Sequence, residues 1–380
     1  MSVVGAGHGR VAGRGPGGVR YMNLVELGWR PDPGADGPRL EPGEALGRVA
    51  VEHRGGYVVL TESGEHGADL AGRLRHDARN GEAPGLPAVG DWVVCRPDPG
   101  GGRAVIRAVL PRRGVFVRKE AGRASSPQVA AAHVDVALLV TAMAGDLNPR
   151  RTERYVAMAR EGGVTPVVVL TKADLADDRV ALDAARARAS GAAPGVPFHA
   201  VSALTGQGLA DLGVYFEGQR TVALLGSSGV GKSTLINRLL GREAQRVSDV
   251  RGDGRGRHTT THRALIPRPG GGLLIDTPGM RELALWGGDE GVQAAFPEVE
   301  DFAVGCRFGD CSHTSEPGCA VRAAVLDGAL PADRLGSYHK LRGEVRYLEA
   351  RQDAQARHHR KREDKAKNRA LYRWLDEKRW

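Results

Sequence analysis

The rhythm of hydrophobic and polar positions changes three times along the chain. Residues 1–43 hold 11 Gly and 5 Pro with little periodicity, too few apolar residues for a core, and read as a flexible arm. Within the arm, the apolar patch from Asn23 to Trp29 is expected to pack on the neighbouring domain. Residues 44–120 carry short β-rich segments separated by Gly, Pro and Asp, at 56–61, 89–95, 104–110 and 114–118. Four or five short strands in so short a stretch predict a small β-barrel, with the five-stranded OB-fold the leading candidate among the small all-β folds.

From 121 to 298 apolar runs alternate with amphipathic stretches. The pattern predicts strands at 133–141, 164–170, 198–201 and 220–225, and helices at 150–162, 180–190, 207–215 and 232–240. Such alternation predicts an α/β domain with a parallel sheet covered by helices. Residues 299–380 read as a Cys/His stretch followed by one or two helices, and past Arg342 apolar residues are sparse and charges mixed. The expected fold is thus multidomain: a β-barrel, an α/β domain and a small helical domain.

Charge sharpens this picture. The 380 residues carry a formal net charge of +9, which favours an acidic partner such as nucleic acid, or a membrane surface. Residues 341–380 contain 13 Lys and Arg against 7 Asp and Glu, so most of the excess sits in the tail. No apolar run approaches the roughly 18–20 residues that span a bilayer, and the first 20 residues lack the apolar core of a signal peptide. A cytoplasmic location without a membrane partner is expected, and with it free rather than disulfide-bonded cysteines. Cys306, Cys311 and Cys319 crowd together, whereas Cys95 stands alone in an apolar strand and reads as a core residue.

The strongest motif is Gly226-Ser227-Ser228-Gly229-Val230-Gly231-Lys232-Ser233-Thr234, a complete G-x-x-x-x-G-K-[ST] between a predicted strand and a predicted helix. Its glycines let backbone N–H groups cradle phosphate oxygens at a helix N-terminus, Lys232 suits the β/γ charge, and Ser233 suits Mg²⁺. Base choice is read from Thr171-Lys172-Ala173-Asp174, which matches the [NT]-K-x-D guanine pattern. The Asp174 carboxylate can accept from guanine N1–H and its exocyclic amine, while adenine would leave a carboxylate unpaired. An ATPase reading therefore requires setting Asp174 aside. Ser202-Ala203-Leu204, again after a strand, is similar to a second guanine-contacting loop.

Asp276-Thr277-Pro278-Gly279 follows an apolar strand and fits an acidic residue serving Mg²⁺ and a Gly N–H meeting the γ-phosphate. The polar loop 254–262, with Thr259, Thr260 and Thr261 in succession, suits a switch that supplies a threonine to Mg²⁺, and the run leaves the choice among them open. These motifs stand in an unusual order. The guanine elements precede the phosphate loop, so the arrangement is circularly permuted; loops contribute by position in space, and the same pocket can still assemble.

Cys306, Cys311, His313 and Cys319 form a Cys₃His set, a donor combination for tetrahedral structural Zn²⁺. In the tail, His358-His359-Arg360-Lys361-Arg362, further cations and Tyr372, Trp374 and Trp380 suit phosphate contacts and base stacking.

Taken together, the guanine-first order, the loop His258-Thr259-Thr260-Thr261, Asp276 to Gly279, and the cysteine cluster with Glu316-Pro317 inside it resemble the RsgA/YjeQ family of circularly permuted GTPases. The resemblance implies an N-terminal OB domain and a C-terminal zinc domain that dock on the rRNA of the small ribosomal subunit, assistance in its late maturation, and GTP hydrolysis stimulated by the ribosome that times release. It also implies His258 as the group orienting the attacking water, since Met280 stands where a Ras-like enzyme carries Gln. On this reading Lys232, Thr260 and His258 are the catalytic set, and Ser233, Thr260 and Asp276 serve Mg²⁺. One Zn²⁺ per chain is structural, and a monomer is expected. Thr171 departs from the more usual Asn. The competing reading is a nucleotide-gated RNA-binding module or RNA chaperone with incidental turnover. The expected domain limits are 1–43, 44–120, 121–298 and 299–380.

Overall fold

A computed structural model describes residues 22–31, 37–53, 55–79, 84–119, 127–143, 147–241, 264–276, 285 and 289–350. Five strands, β1 (Ala45–His53), β2 (Gly56–Thr61), β3 (Gly64–Leu70), β4 (Trp92–Arg96) and β5 (Ala104–Val109), pair in the order β1-β2-β3-β5-β4, and β4 returns to β1. The ring is therefore closed, as a small barrel requires if it is to leave no free edge. Its β3–β5 pair is parallel and the other pairs antiparallel. Helix α1 (Gly72–Arg79) follows β3. Alternate positions of β2 are buried, and Val49, Val59, Val93, Cys95 and Ile106 fill the interior. The pattern of residues missed β1 and β3, and the segment expected at 114–118 lies outside the barrel, where Phe116–Lys119 pairs with Pro127–Ala131. Only Ala68 and Leu70 of Gly64–Leu70 are aliphatic beyond glycine, so the strand leaves almost no alternation to read.

The patch at Asn23 to Trp29 packs as expected: Leu27 is fully buried beside Leu46 and Trp92, and the Trp29 and Trp92 rings meet edge to face at 4.9 Å. Burial of this kind is what holds a short segment to a domain it does not belong to by secondary structure.

Strands β6 (Phe116–Lys119) and β7 (Pro127–Ala131) form a separate two-stranded ribbon. Then come β8 (Val136–Ala142), α2 (Pro149–Glu161), β9 (Thr165–Thr171), α3 (Arg179–Ala192), β10 (Phe198–Ala200), β11 (Thr221–Leu225), α4 (Lys232–Leu240), β12 (Ala264–Pro267) and β13 (Leu273–Asp276). Strands β10, β9, β8, β11 and β13 are parallel and lie in that order, with β12 antiparallel outside β13. All seven residues of β8 are buried, the continuous apolar run of a strand covered on both faces. The helix expected at 207–215 is instead a 3₁₀ segment, Ala210–Gln219, in which Glu217 and Gly218 leave helical geometry. Gly208, Gly213 and Gly218 lower helix propensity through this stretch.

One pairing was not legible in the sequence. Val51 of β1 faces Ala264 of β12, so barrel and parallel sheet share one 11-stranded sheet. Residues 1–118 and 129–283 accordingly form one compact unit, and 119–128 and 284–380 form the other.

In the second unit, α5 (Glu290–Ala295), α6 (Pro297–Ala303), α7 (Ala320–Leu326) and α8, a helix over 332–350, pack around Phe296, Val299, Val321, Tyr338, Leu341 and Val345. Arg334 pairs with Glu298, donates to the Ala295 carbonyl at 2.6 Å, and lies 4.0 Å over the Phe296 ring. Residues 284–298, read from sequence as the end of the α/β domain, belong with this helical unit.

Candidate functional site

The motif residues gather because each motif stands at the carboxyl end of a parallel strand, where open α/β sheets bind ligands. The phosphate-loop motif follows β11, which lies between β8 and β13 in the parallel run. Gly226 sits where a Cβ would lie 2.4 Å from the Val140 carbonyl oxygen, and Gly231 has φ +92°, so both positions demand glycine. Helix α4 begins at Lys232, immediately after this turn. The Lys232 ammonium folds over the loop and donates to the carbonyls of Gly226 at 2.9 Å and Ser227 at 2.5 Å. Ser233 and Thr234 are exposed in the first turn of α4. Asp276 ends β13, the neighbour of β11; burial pushes its carboxyl up from its ordinary value and the Lys232 charge opposes that. A half-buried carboxyl in this position gains from a cation.

Strands β9 and β10 bring the guanine motifs to the same edge. The Thr171 hydroxyl, 2% exposed, donates to the carbonyls of Val230 at 2.5 Å and Thr141 at 3.0 Å. Lys172 takes φ +56° and donates to the Gly229 carbonyl at 3.1 Å. Two successive side chains of this motif thus bind the backbone of the phosphate loop. Ala173 N–H donates to the Val201 carbonyl at 3.1 Å, which ties the motif to the strand end preceding Ser202. Asp174 lies exposed in the turn Ala173–Leu175. Ser202 is fully buried; its hydroxyl accepts from Thr205 N–H at 3.1 Å. The hydroxyl of Thr171 therefore supplies the link to the phosphate loop at the position where Asn is more usual.

The structure brings together residues 171–174, 202–203, 226–234 and Asp276. His258, Thr260 and Gly279, with the loop 254–262 and the tail from Arg351, lie outside the described residues.

In the helical unit the donor atoms of Cys306, Cys311, His313 and Cys319 all lie within 4.8 Å of one another. His313 Nδ1 is 3.6 Å from both Cys306 Sγ and Cys319 Sγ, and those two sulfurs are 3.9 Å apart. Bond lengths typical of a tetrahedral thiolate–imidazole centre give edges of about 3.8 Å between sulfurs and about 3.6 Å between sulfur and nitrogen. The observed spacing fits one metal ion. Burial, chiefly, lowers the His313 pKa and favours the neutral, ligating ring. Cys319 also caps α7, accepting from Arg322 N–H at 3.4 Å. Glu316 shapes the intervening loop by accepting from the N–H groups of Ser312, Thr314 and Ser315. Cys95 lies apart in the barrel interior, where burial pushes its thiol up to about 11.

Sequence reasoning missed two arginines. Arg48 is buried at the junction of the barrel with β11, and Arg238 of α4 reaches the loop after β10. Neither belongs to a motif. Arg48 lies within the strand pattern Ala45–His53, and a cation flanked by apolar residues was its one available signal.

The fold and the assembled loops define a P-loop GTPase whose guanine elements precede its phosphate loop in the chain. A family model described as RsgA GTPase matches residues 109–286. The small ribosomal subunit biogenesis GTPase RsgA of Opitutus terrae is 48% identical over 343 residues, covering 87% of this chain and 92% of that protein. Its counterpart of the same name in Streptomyces avermitilis is 45% identical, covering 88% and 89%. The crystal structure of YjeQ from Thermotoga maritima superposes with a TM-score of 0.60 at 27% identity, over 80% of this chain and 98% of that one. YloQ, described as a circularly permuted GTPase, gives 0.59 at 25% identity, over 80% and 95%. The chain belongs to the RsgA family and is a GTPase.

Proposed function

We propose that this GTPase binds the small ribosomal subunit through its rRNA, assists late maturation of the subunit, and uses hydrolysis, stimulated by the ribosome, to time its release. The observation that carries the reading is the guanine-first pocket itself, with Thr171 and Lys172 bound to the carbonyls of Val230 and Gly229. Support comes also from relatives whose names state small ribosomal subunit biogenesis.

In this mechanism the backbone N–H groups of Gly226 to Gly231 cradle the phosphates, and Lys232 exchanges its loop carbonyls for β- and γ-oxygens. Asp174 reads guanine. Ser233, Asp276 and Thr260 would hold Mg²⁺, which neutralises charge between the β- and γ-phosphates. Gly279 N–H meets the γ-phosphate, and His258 orients water for in-line attack. Cys306, Cys311, His313 and Cys319 would hold Zn²⁺, which would staple the helical unit. The barrel, that unit and the basic tail supply the rRNA contacts. The protein acts as a cytoplasmic monomer; no described helix is long and apolar enough to cross a membrane.

GTP turnover with and without small subunits tests this, together with cosedimentation in GDP against a non-hydrolysable GTP analogue. Stimulation by the subunit, removed by His258→Ala with nucleotide affinity nearly unchanged, is expected. A turnover rate indifferent to subunits would instead favour a nucleotide-gated RNA-binding module.

A further inference from the structure

The loop after β10 has an uneven hydrogen-bond inventory. The Ser202 carbonyl accepts from Gly206 N–H at 2.9 Å, and Thr205 N–H is taken by the Ser202 hydroxyl. The next two carbonyls are gripped by one side chain: Arg238 donates from Nε to the Ala203 carbonyl at 2.6 Å and from Nη2 to the Leu204 carbonyl at 2.7 Å. Every carbonyl from 202 to 204 is thus engaged. The N–H groups of Ala203 and Leu204 have no partner among the described residues. A guanidinium is a rigid planar fork, so gripping two successive carbonyls fixes the orientation of both peptide units. The donors left over are held in place before any base arrives.

Arg238 belongs to α4, the helix that opens with Lys232 and Ser233. One rigid element therefore carries the phosphate groups at its start and fixes the base-side loop near its end. The bases differ at the atom that such donors would meet. Guanine presents the O6 acceptor where adenine presents an amine, and a donor facing a donor is rejected.

We propose that Arg238 is a positioning residue for guanine recognition, holding the 203–204 backbone so that its N–H groups meet O6. This rests on reading Ser202 to Leu204 as a guanine-contacting loop. Asp174 reads the N1 and amine side of the base, and Arg238 acts through the loop on the opposite, O6 side.

The full-length protein is titrated with GDP, inosine diphosphate and ADP. Inosine diphosphate keeps O6 and lacks the amine. Arg238→Ala is expected to weaken GDP and inosine diphosphate by the same factor, tenfold or more, and to leave the weak binding of ADP unchanged. Arg238→Lys, which keeps one donor but not the fork, should fall between. An equal loss for all three nucleotides would mean that Arg238 merely supports the phosphate helix, and an unchanged GDP affinity would mean that the loop holds itself; either overturns the proposal. Thermal unfolding of both variants establishes that they are folded, and if Arg238→Ala is not, the lysine variant carries the comparison. Asp174→Asn, titrated with GDP and xanthosine diphosphate, tests the underlying site: preference should pass to xanthine, whose 2-oxo group replaces the amine. If that preference does not move, the guanine site is misplaced and the proposal falls with it; if it moves while Arg238→Ala is silent, only the role of Arg238 is refuted.

Discussion

The guanidinium of Arg48, on the first barrel strand, donates a 2.8 Å hydrogen bond to the hydroxyl of Thr221, the first residue of the strand that runs into the phosphate loop. The same group donates to the carbonyls of Leu27 at 2.5 Å, Gly90 at 3.1 Å and His133 at 3.2 Å. One side chain, 1% exposed, thus joins the N-terminal patch, the barrel, the connecting segment and the GTPase sheet. Burial pushes the guanidinium down to about 9, with the charge of Asp135 working against it. Asp135 in turn accepts from Thr221 N–H at 2.7 Å and from Arg30 at 2.6 Å. A buried cation is costly unless its donors are satisfied, and here uncharged acceptors from four segments satisfy them.

Arg48→Met should therefore destabilise the barrel–GTPase unit substantially. It leaves three carbonyls and a hydroxyl without their donor, and a single buried unsatisfied group costs about 1–3 kcal/mol. A total loss of about 3 kcal/mol or more is expected. Urea unfolding followed by tryptophan fluorescence measures it, since Arg48 lies 5.4 Å from the Trp92 ring. Arg48→Lys should recover less than half, because an ammonium cannot reach four separated acceptors. A denaturation midpoint within error of the parent would show that the hub is dispensable.

His133 gives this unit an acid-sensitive stability. Burial, chiefly, and the charges of Arg48, Arg113 and Arg112 lower its pKa to about 3, and its Nε2 is buried without a hydrogen-bond partner among the described residues. The folded value lies below the unfolded one, so between about pH 6.5 and about pH 3 the unfolded chain binds a proton that the folded chain does not. Stability contributed by neutral His133 is present above that window and is lost as pH falls through it. Between pH 7 and pH 5 the loss should be about 2 kcal/mol. His133 has φ +53°, a conformation that Asn tolerates, so His133→Asn is the suitable control. Its unfolding free energy should change less between the two pH values; an identical change would place the acid sensitivity elsewhere.

The cysteines should separate into two classes on metal removal. Metal analysis of the native protein is expected to find about one zinc per chain. A chelator should then release three thiols to a disulfide exchange reagent, while Cys95, buried and with a raised pKa, reacts only on global unfolding. Helical circular dichroism should fall as the metal leaves, because the donors fold the segment between α6 and α7 and Cys319 caps α7. Three readily titrated thiols in untreated protein would count against a bound metal.

The parts legible in the sequence were those whose chemistry demands fixed residue types at fixed spacing. A phosphate cradle needs Gly226 and Gly231, a guanine carboxylate needs Asp174, and a tetrahedral centre needs four donors close together. The barrel was half legible, because β2 alternates visibly and β3, Gly64–Leu70, does not. Pairing between β1 and β12 joins segments far apart in the chain and leaves no local pattern. Arg48 and Arg238 were invisible for a related reason. An arginine in a strand or in the last turn of a helix looks like a solvated charge until the carbonyls it grips are known.

Thr171 offers a last test of how the pocket is held. A hydroxyl has one hydrogen, so the two acceptors at 2.5 and 3.0 Å, the carbonyls of Val230 and Thr141, share a single donor. This links the strand end before Asp174 to the loop before Lys232. Thr171→Val keeps the shape and removes the donor, so the Val230 carbonyl loses this partner at a cost of about 1–3 kcal/mol. Among the described side chains, Lys172 and, through the 203–204 loop, Arg238 would then be left to hold the guanine and phosphate halves of the pocket together. Release of a fluorescent GDP analogue should accelerate about tenfold, with little change in its association rate, because weakening a formed site acts mainly on dissociation. Thr171→Asn, which supplies an amide donor, should stay within a few-fold of the parent. Equal release from the parent and Thr171→Val would mean that the hydroxyl bridge does not hold the two halves together.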